Sequence, residues 1–112
     1  MGNPAVTLLV RFKSKLPFDE VMKIVEERAP EFEALSGLQQ KYYLQNTITG
    51  EIAGLYLWDS PEAFTAYRDS ELRATIAEAY QAEGEPHIEV YKVVKTLRDE
   101  VDSPRGHPET GI

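Results

Sequence analysis

Residues 54–67, GLYLWDSPEAFTAY, decide how the rest of the chain is read. From Gly54 to Trp58 the run is apolar and aromatic with no wetted side, the pattern of a strand covered on both faces. It stops at Asp59 and Ser60, whose side-chain oxygens can accept the orphan N–H groups of a helix start. Pro61 suits a first helical position, and Glu62 complements the positive helix end. A core strand therefore feeds directly into a capped helix.

Upstream, residues 38–46 (LQQKYYLQN) form a second strand-like run, joined to residues 51–59 by a short turn through residues 47–50. Together they make a hairpin. Strict alternation places Leu38, Gln40, Tyr42 and Leu44 on one face and Gln39, Lys41, Tyr43 and Gln45 on the other. Residues 17–35 show helical spacing through Phe18, Val21, Met22, Val25, Ala29 and Phe32. Pro30 predicts a kink or break with a short continuation, and Gly37 marks the stop. Residues 5–13 (AVTLLVRFK) read as the first strand, with Val6, Leu8, Val10 and Phe12 on one face.

Downstream, residues 61–82 are helical with Phe64, Tyr67, Leu72, Ile76 and Tyr80 as inward candidates. A phase shift near Asp69 and Ser70 predicts two pieces, the second capped by Ser70. Gly84 and Pro86 end this region, and residues 87–98 (HIEVYKVVKTLR) read as a last strand. The composition then changes to Pro, Gly and acidic residues, so the expected organisation is one domain over 1–98 and a flexible tail over 99–112.

The order strand, helix, strand, strand, helix, strand is that of a ferredoxin-like α+β unit, with helices on one face of a four-stranded antiparallel sheet. The central strand offers apolar side chains to both faces. Something must cover the face away from the helices, and a second copy packed sheet to sheet is the expected cover.

A chain of 112 residues with 42% hydrophobic content can bury a core. Its net charge of −7, with no basic stripe, argues against nucleic acid or an anionic membrane surface as partner. With no cysteine, disulfides, thiolate catalysis and cysteine-ligated metal centres are excluded. Neither a membrane-spanning run nor a signal-peptide pattern is present, so a cytoplasmic location is the expectation. His87 and His107 show no metal-ligand spacing with other residues, and phosphate-binding or dinucleotide-binding glycine motifs are missing. Six tyrosines and Trp58 stand out instead. One reading is core packing in which each hydroxyl finds a partner; the other is an apolar cleft between sheet and helices suited to a flat aromatic ligand. Gln40, Asn46, His87 and Arg11 are candidate polar points for such a cleft.

The segment GLYLWDSPEAFTAY and the preceding KYYLQN hairpin resemble the YdhR-type monooxygenases, a branch of the dimeric α+β barrel superfamily that includes the antibiotic-biosynthesis monooxygenases. The resemblance spans roughly residues 7–97. It rests on Gly54, Tyr56 and Leu57 in the strand and Ala66 and Tyr67 in the helix, while the spacing of Trp58, Ala63 and Tyr67 resembles the wider superfamily. It implies a homodimer with a pocket in each subunit, and oxygenation of a small aromatic or quinol-like compound without metal or flavin. An electron-rich phenolate can itself pass an electron to dioxygen, so the protein need only bind, deprotonate and shield it. On this reading His87 and Tyr67 are the catalytic candidates, and Tyr56, Trp58, Asn46, Tyr43 and Tyr91 are the substrate-binding ones. The chain departs from the wider superfamily at Tyr67, where histidine is frequent, and a tyrosine near its usual pKa is a poor base. A non-catalytic small-molecule-binding or stress-related protein on the same scaffold, and a lyase or isomerase, stay open as alternatives.

Overall fold

Alternation along the first strand sets the inner face of the sheet. In β1 (Val6–Phe12) the residues Val6, Leu8, Val10 and Phe12 are buried, and Thr7, Leu9 and Arg11 are only partly covered. The computed structural model that shows this describes residues 3–98. After β1 come α1 (Phe18–Glu33), β2 (Leu38–Gln45), β3 (Ile52–Trp58), α2 (Pro61–Arg68), α3 (Glu71–Ala74), α4 (Ile76–Ala79) and β4 (His87–Lys92). The strands form one antiparallel sheet in the order β2-β3-β1-β4, the ferredoxin-like arrangement expected from the element order. The expected tail over 99–112 lies outside the described residues.

The middle of the sheet is the pair β1 and β3, in which Val6 faces Trp58, Leu8 faces Tyr56 and Val10 faces Gly54. Onto these fold Val21, Val25 and Phe32 of α1, Tyr67 of α2, Ile76 of α4 and Tyr80 just beyond it, giving one core on the helix side. Phe18, predicted to point inward, is half exposed at the first position of α1. The junction after β3 forms as its sequence dictates: the Ser60 hydroxyl accepts the Ala63 N–H at 3.1 Å, with Pro61 at the first helical position. Gly37, at φ +84°, leads into β2, and its carbonyl accepts the Asp59 N–H at 2.9 Å. A Cβ there would lie 2.4 Å from that of Ala63, so both the backbone conformation and the close approach of α2 require glycine.

Pro30 is followed by the expected short continuation of α1, which runs to Glu33 with no break between. The carbonyl it deprives of a partner belongs to Glu26 on the exposed side, where solvent can take the bond, and only one turn of helix follows. Strict alternation in β2 fails at a β-bulge between Leu38 and Gln40, which lets Leu38 face Trp58 on the same side as Lys41 and Tyr43. Ser70 does cap a new helix, accepting the Arg73 N–H at 3.2 Å, but a further break at Thr75 splits that piece into α3 and α4. The last strand ends at Lys92 instead of running to residue 98. Beyond Lys92 the Val93 N–H still bonds the Ala5 carbonyl at 2.9 Å, but the side chains of Val94 and Leu97 are exposed.

Candidate functional site

The pairing of β2 with β3 beyond the bulge has a chemical consequence, because it sets Lys41 on the helix side of the sheet directly across from Tyr56. The Lys41 ammonium lies 3.3 Å from the ring centroid of Phe32, 4.4 Å from that of Tyr43 and 4.5 Å from that of Tyr56. Among the described residues no carboxylate lies within ion-pair distance of it. Gly54 makes the space for this side chain. A Cβ at position 54 would sit 3.2 Å from Lys41 Cε and 3.1 Å from Tyr56 Cε1.

Behind Lys41 is a small apolar cavity of about 20 Å³, lined by Val10, Phe12, Val25, Tyr56, Ile76 and Tyr80 among others, large enough for a single water. In front of it, between α1 and β2, is a groove of about 310 Å³ bordered by Ala29, Glu33, Leu38, Gln39 and Gln40. Phe32, Lys41 and Tyr43 belong to the lining of both, so they form the wall that separates groove from cavity. The groove has the volume of a small-ligand site, and the cavity does not.

The inner wall is an aromatic layer. Tyr56 stacks on Trp58 with ring centroids 6.1 Å apart and packs against Tyr67 at 5.2 Å, and the two tyrosine hydroxyls are 3.0 Å apart. Burial pushes both hydroxyls up, Tyr67 to about 12 and Tyr56 well above its ordinary value, and Tyr80 likewise rises to about 12. All three stay neutral donors and acceptors at physiological pH.

Lys41 is driven the opposite way. Burial lowers its pKa to about 7, and the positive charge of Arg28 on α1 adds to the effect. The ring faces attract the ammonium and act against that shift. Arg28 is itself engaged, its Nη2 donating to the Leu72 carbonyl at 2.9 Å and to Thr75 Oγ1 at 3.1 Å, which ties α1 to α3 and the Thr75 break. Two buried donors, Arg28 Nε and Trp58 Nε1, have no partner among the described residues.

The residues singled out from the sequence fall in three places. Tyr43 and Tyr56 line the cavity, and Trp58 and Tyr67 are packed one layer behind it, at 0% and 2% exposure. Asn46 serves the hairpin turn, where its Oδ1 accepts the N–H groups of Ile48 and Thr49 at 2.8 and 3.0 Å. His87 and Tyr91 lie on the opposite face of the sheet, in register with Arg11 and Thr7. There His87 Nε2 is 2.7 Å from Glu89 Oε2, and the Tyr91 hydroxyl donates to Glu89 Oε1. These two bonds hold the Glu89 carboxyl below the usual carboxylate range. Arg11 is also on that face, paired with Glu51 at 3.1 Å. The structure thus does not bring His87, Tyr91 or Asn46 to the cleft.

Sequence reasoning missed Lys41. It stood in the alternation as one polar residue of a hairpin strand, and the only available signal was its position between Gln40 and Tyr42 in a strand paired with an apolar one. Among the described residues no group of three or more His, Asp or Glu side chains is placed to hold a metal ion, and no helix is long and apolar enough to cross a membrane.

The family model described as "Putative mono-oxygenase ydhR" matches residues 7–99. Among curated proteins no relative matches the chain. Similar solved structures include SnoaB from Streptomyces nogalater, described as a cofactor-independent oxygenase. It has a TM-score of 0.67 at 16% identity, over 84% of this chain and 97% of that one. A Nitrosomonas europaea protein of unknown function has a TM-score of 0.69 at 17% identity, over 88% and 97% of the two chains. A conserved protein from Methanosarcina mazei has a TM-score of 0.67 at 15% identity, over 80% and 92%. At these identities the likeness establishes the fold.

Proposed function

The chain belongs to the YdhR mono-oxygenase family, and on that premise we propose that it oxygenates a small phenolic or quinol-like compound, without metal or flavin, in the cleft between α1 and the sheet. The observation that carries this reading is the groove of about 310 Å³ whose floor is aromatic. It is sized for one or two fused rings and bounded by Phe32, Tyr43 and the Lys41 ammonium that lies over both rings, with the Tyr56 and Tyr67 hydroxyls in the layer beneath.

The chemistry needs dioxygen as the only co-reactant. The carbon para to the phenolic hydroxyl takes one oxygen atom, and the hydrogens from that carbon and from the hydroxyl leave with the other atom as water, so a phenol becomes a quinone and the substrate supplies all the electrons. Phe32 and Tyr43 bind the ring, while Tyr56, in the layer beneath and fixed from behind by Trp58 and Tyr67, backs that wall. The outer sheet face, with Leu9, Leu55, Leu57, Tyr42 and Leu44, is closed by a second copy of the chain in this reading.

Oxygen uptake with a panel of quinols and polyphenols tests the activity. Turnover is expected in the unaltered protein and should fall at least about tenfold in Ala29→Trp, which fills the groove from the helix side without touching the core. Uptake that is absent across the panel, or equal in the two proteins, would remove the cleft from consideration as an oxygenation site.

A further inference from the structure

Resting on the cleft reading above, we propose that Lys41 takes the hydroxyl proton of the bound phenol and holds the phenolate that remains. The step is a proton transfer: the O–H bond breaks, an N–H bond forms on Nζ, and no electron leaves the ring until dioxygen is engaged.

Position supports this first. Lys41 lies in the wall common to groove and cavity, so a ring entering the groove meets its side chain there together with Phe32 and Tyr43. Its nitrogen has three aromatic faces for company and, among the described residues, no carboxylate within ion-pair distance, which leaves the lone pair of the amine or the charge of the ammonium free for a ligand. A buried cation without a counter-ion is costly in an empty site, and an incoming phenolate is the counter-ion the site lacks. Gly54 adds independent support, since any side chain there would press on Lys41 Cε and close the space in which the amine moves.

The other groups facing Lys41 are unsuited to the role. From α1 come Arg28, which does not deprotonate and is already bonded to Leu72 and Thr75, and Glu33, which is exposed at the groove rim. Tyr43 on β2, Tyr56 on β3, Tyr67 on α2 and Tyr80 beyond α4 are all held in the neutral form by burial. Lys41 exchanges a proton near neutrality, its pKa being lowered to about 7 by burial and by Arg28.

The test uses para-nitrophenol, whose ionised form absorbs visibly and whose neutral form does not. Bound to the unaltered protein at a pH below the probe's own pKa, it is expected to show at least about a threefold excess of phenolate over the free probe, and Lys41→Met should abolish the excess while still binding the ring. Carbon-13 NMR of the Lys41 Cε provides a second measure that does not depend on the variant: the amine should titrate near neutrality in the empty protein and shift upward when the probe binds. Binding of the probe as the neutral phenol, or an equal phenolate excess in Lys41→Met, would overturn the role of Lys41 while leaving the cleft reading intact. An amine that titrates in the ordinary lysine range would do the same. Failure of the probe to bind at all would overturn both.

Discussion

On the helix side of the sheet, Tyr56 and Tyr67 share a hydrogen bond of 3.0 Å inside a ring layer almost closed to water. On the other side Tyr91, 56% exposed, gives its hydroxyl to Glu89, which also holds His87. The exposed trio has the residue types expected of an acid–base site, and each member is already satisfied by its neighbours. The covered side has the Lys41 amine among rings, with no carboxylate within ion-pair distance among the described residues. Residue types that suggest catalysis are thus a weaker guide than the balance between burial and partners, because desolvation is what shifts a proton affinity and leaves a group ready for a ligand.

The largest expected effect that separates the two faces is on stability. Trp58→Ala removes the one fully buried indole beneath Tyr56 and Tyr67 and should cost about 3–5 kcal/mol in denaturant unfolding. If the loss is under about 1 kcal/mol, the layer is not the rigid wall described here. On the outer face Leu55→Asp should leave the subunit folded and convert the proposed dimer to monomer at micromolar concentration. Sedimentation velocity reads this directly, and a monomer in the unaltered protein would refute a sheet-to-sheet assembly.

Smaller effects sharpen the contrast. Tyr67→Phe should cost about 1–2 kcal/mol, because the Tyr56 hydroxyl loses its buried partner. Adding Tyr56→Phe should cost less than a second such increment, since the double change leaves no orphaned hydroxyl; strictly additive losses in the cycle would contradict the bond. Glu89→Gln, on the exposed side, is expected to leave the unfolding midpoint unchanged within error.

Lys41→Met should stabilise the protein by about 1–2 kcal/mol at neutral pH, because a buried cation with no carboxylate partner among the described residues is replaced by an apolar chain of similar length. The sign follows from linkage. Lys41 has its pKa lowered from 10.5 to about 7 on folding, so between those values the unfolded chain holds more protons than the folded one. Its contribution to stability is therefore favourable above 10.5 and is lost as pH falls toward 7. Tyr67 and Tyr80 oppose it at high pH: raised from 10.0 to about 12, they contribute below 10.0 and lose that contribution as pH rises through 12. Unfolding free energies measured from pH 7 to 10 should rise less steeply in Lys41→Met than in the unaltered protein. Equal slopes would mean that Lys41 is solvated.

Much of this architecture was legible in local pattern. Alternation of period two placed Val6, Leu8, Val10 and Phe12 on one face of β1, and the Ser60–Pro61 junction ended a strand and started a helix where the residues say it should. The Ser70 restart followed from a phase shift in the helical spacing. Such features depend on neighbours a few residues away, and short-range sterics and capping determine them.

The site was decided elsewhere. A one-residue bulge in β2 shifts the alternation at Leu38, and the pairing of β2 with β3 sets Lys41 opposite Tyr56, neither of which is written in the spacing of LQQKYYLQN. The rings around Lys41 come from α1, β2 and β3, and the charge that adds to its depressed proton affinity comes from Arg28 on α1. His87 and Tyr91, promising as residue types, fell on the far face because the register of β4 on β1 put them there. The sequence by itself determined which segments are strands and helices and which of their faces are apolar, because hydrophobic period and capping act within one segment. Only the tertiary structure decided which polar group would be stripped of water and left unpaired, because desolvation depends on every element that closes around it.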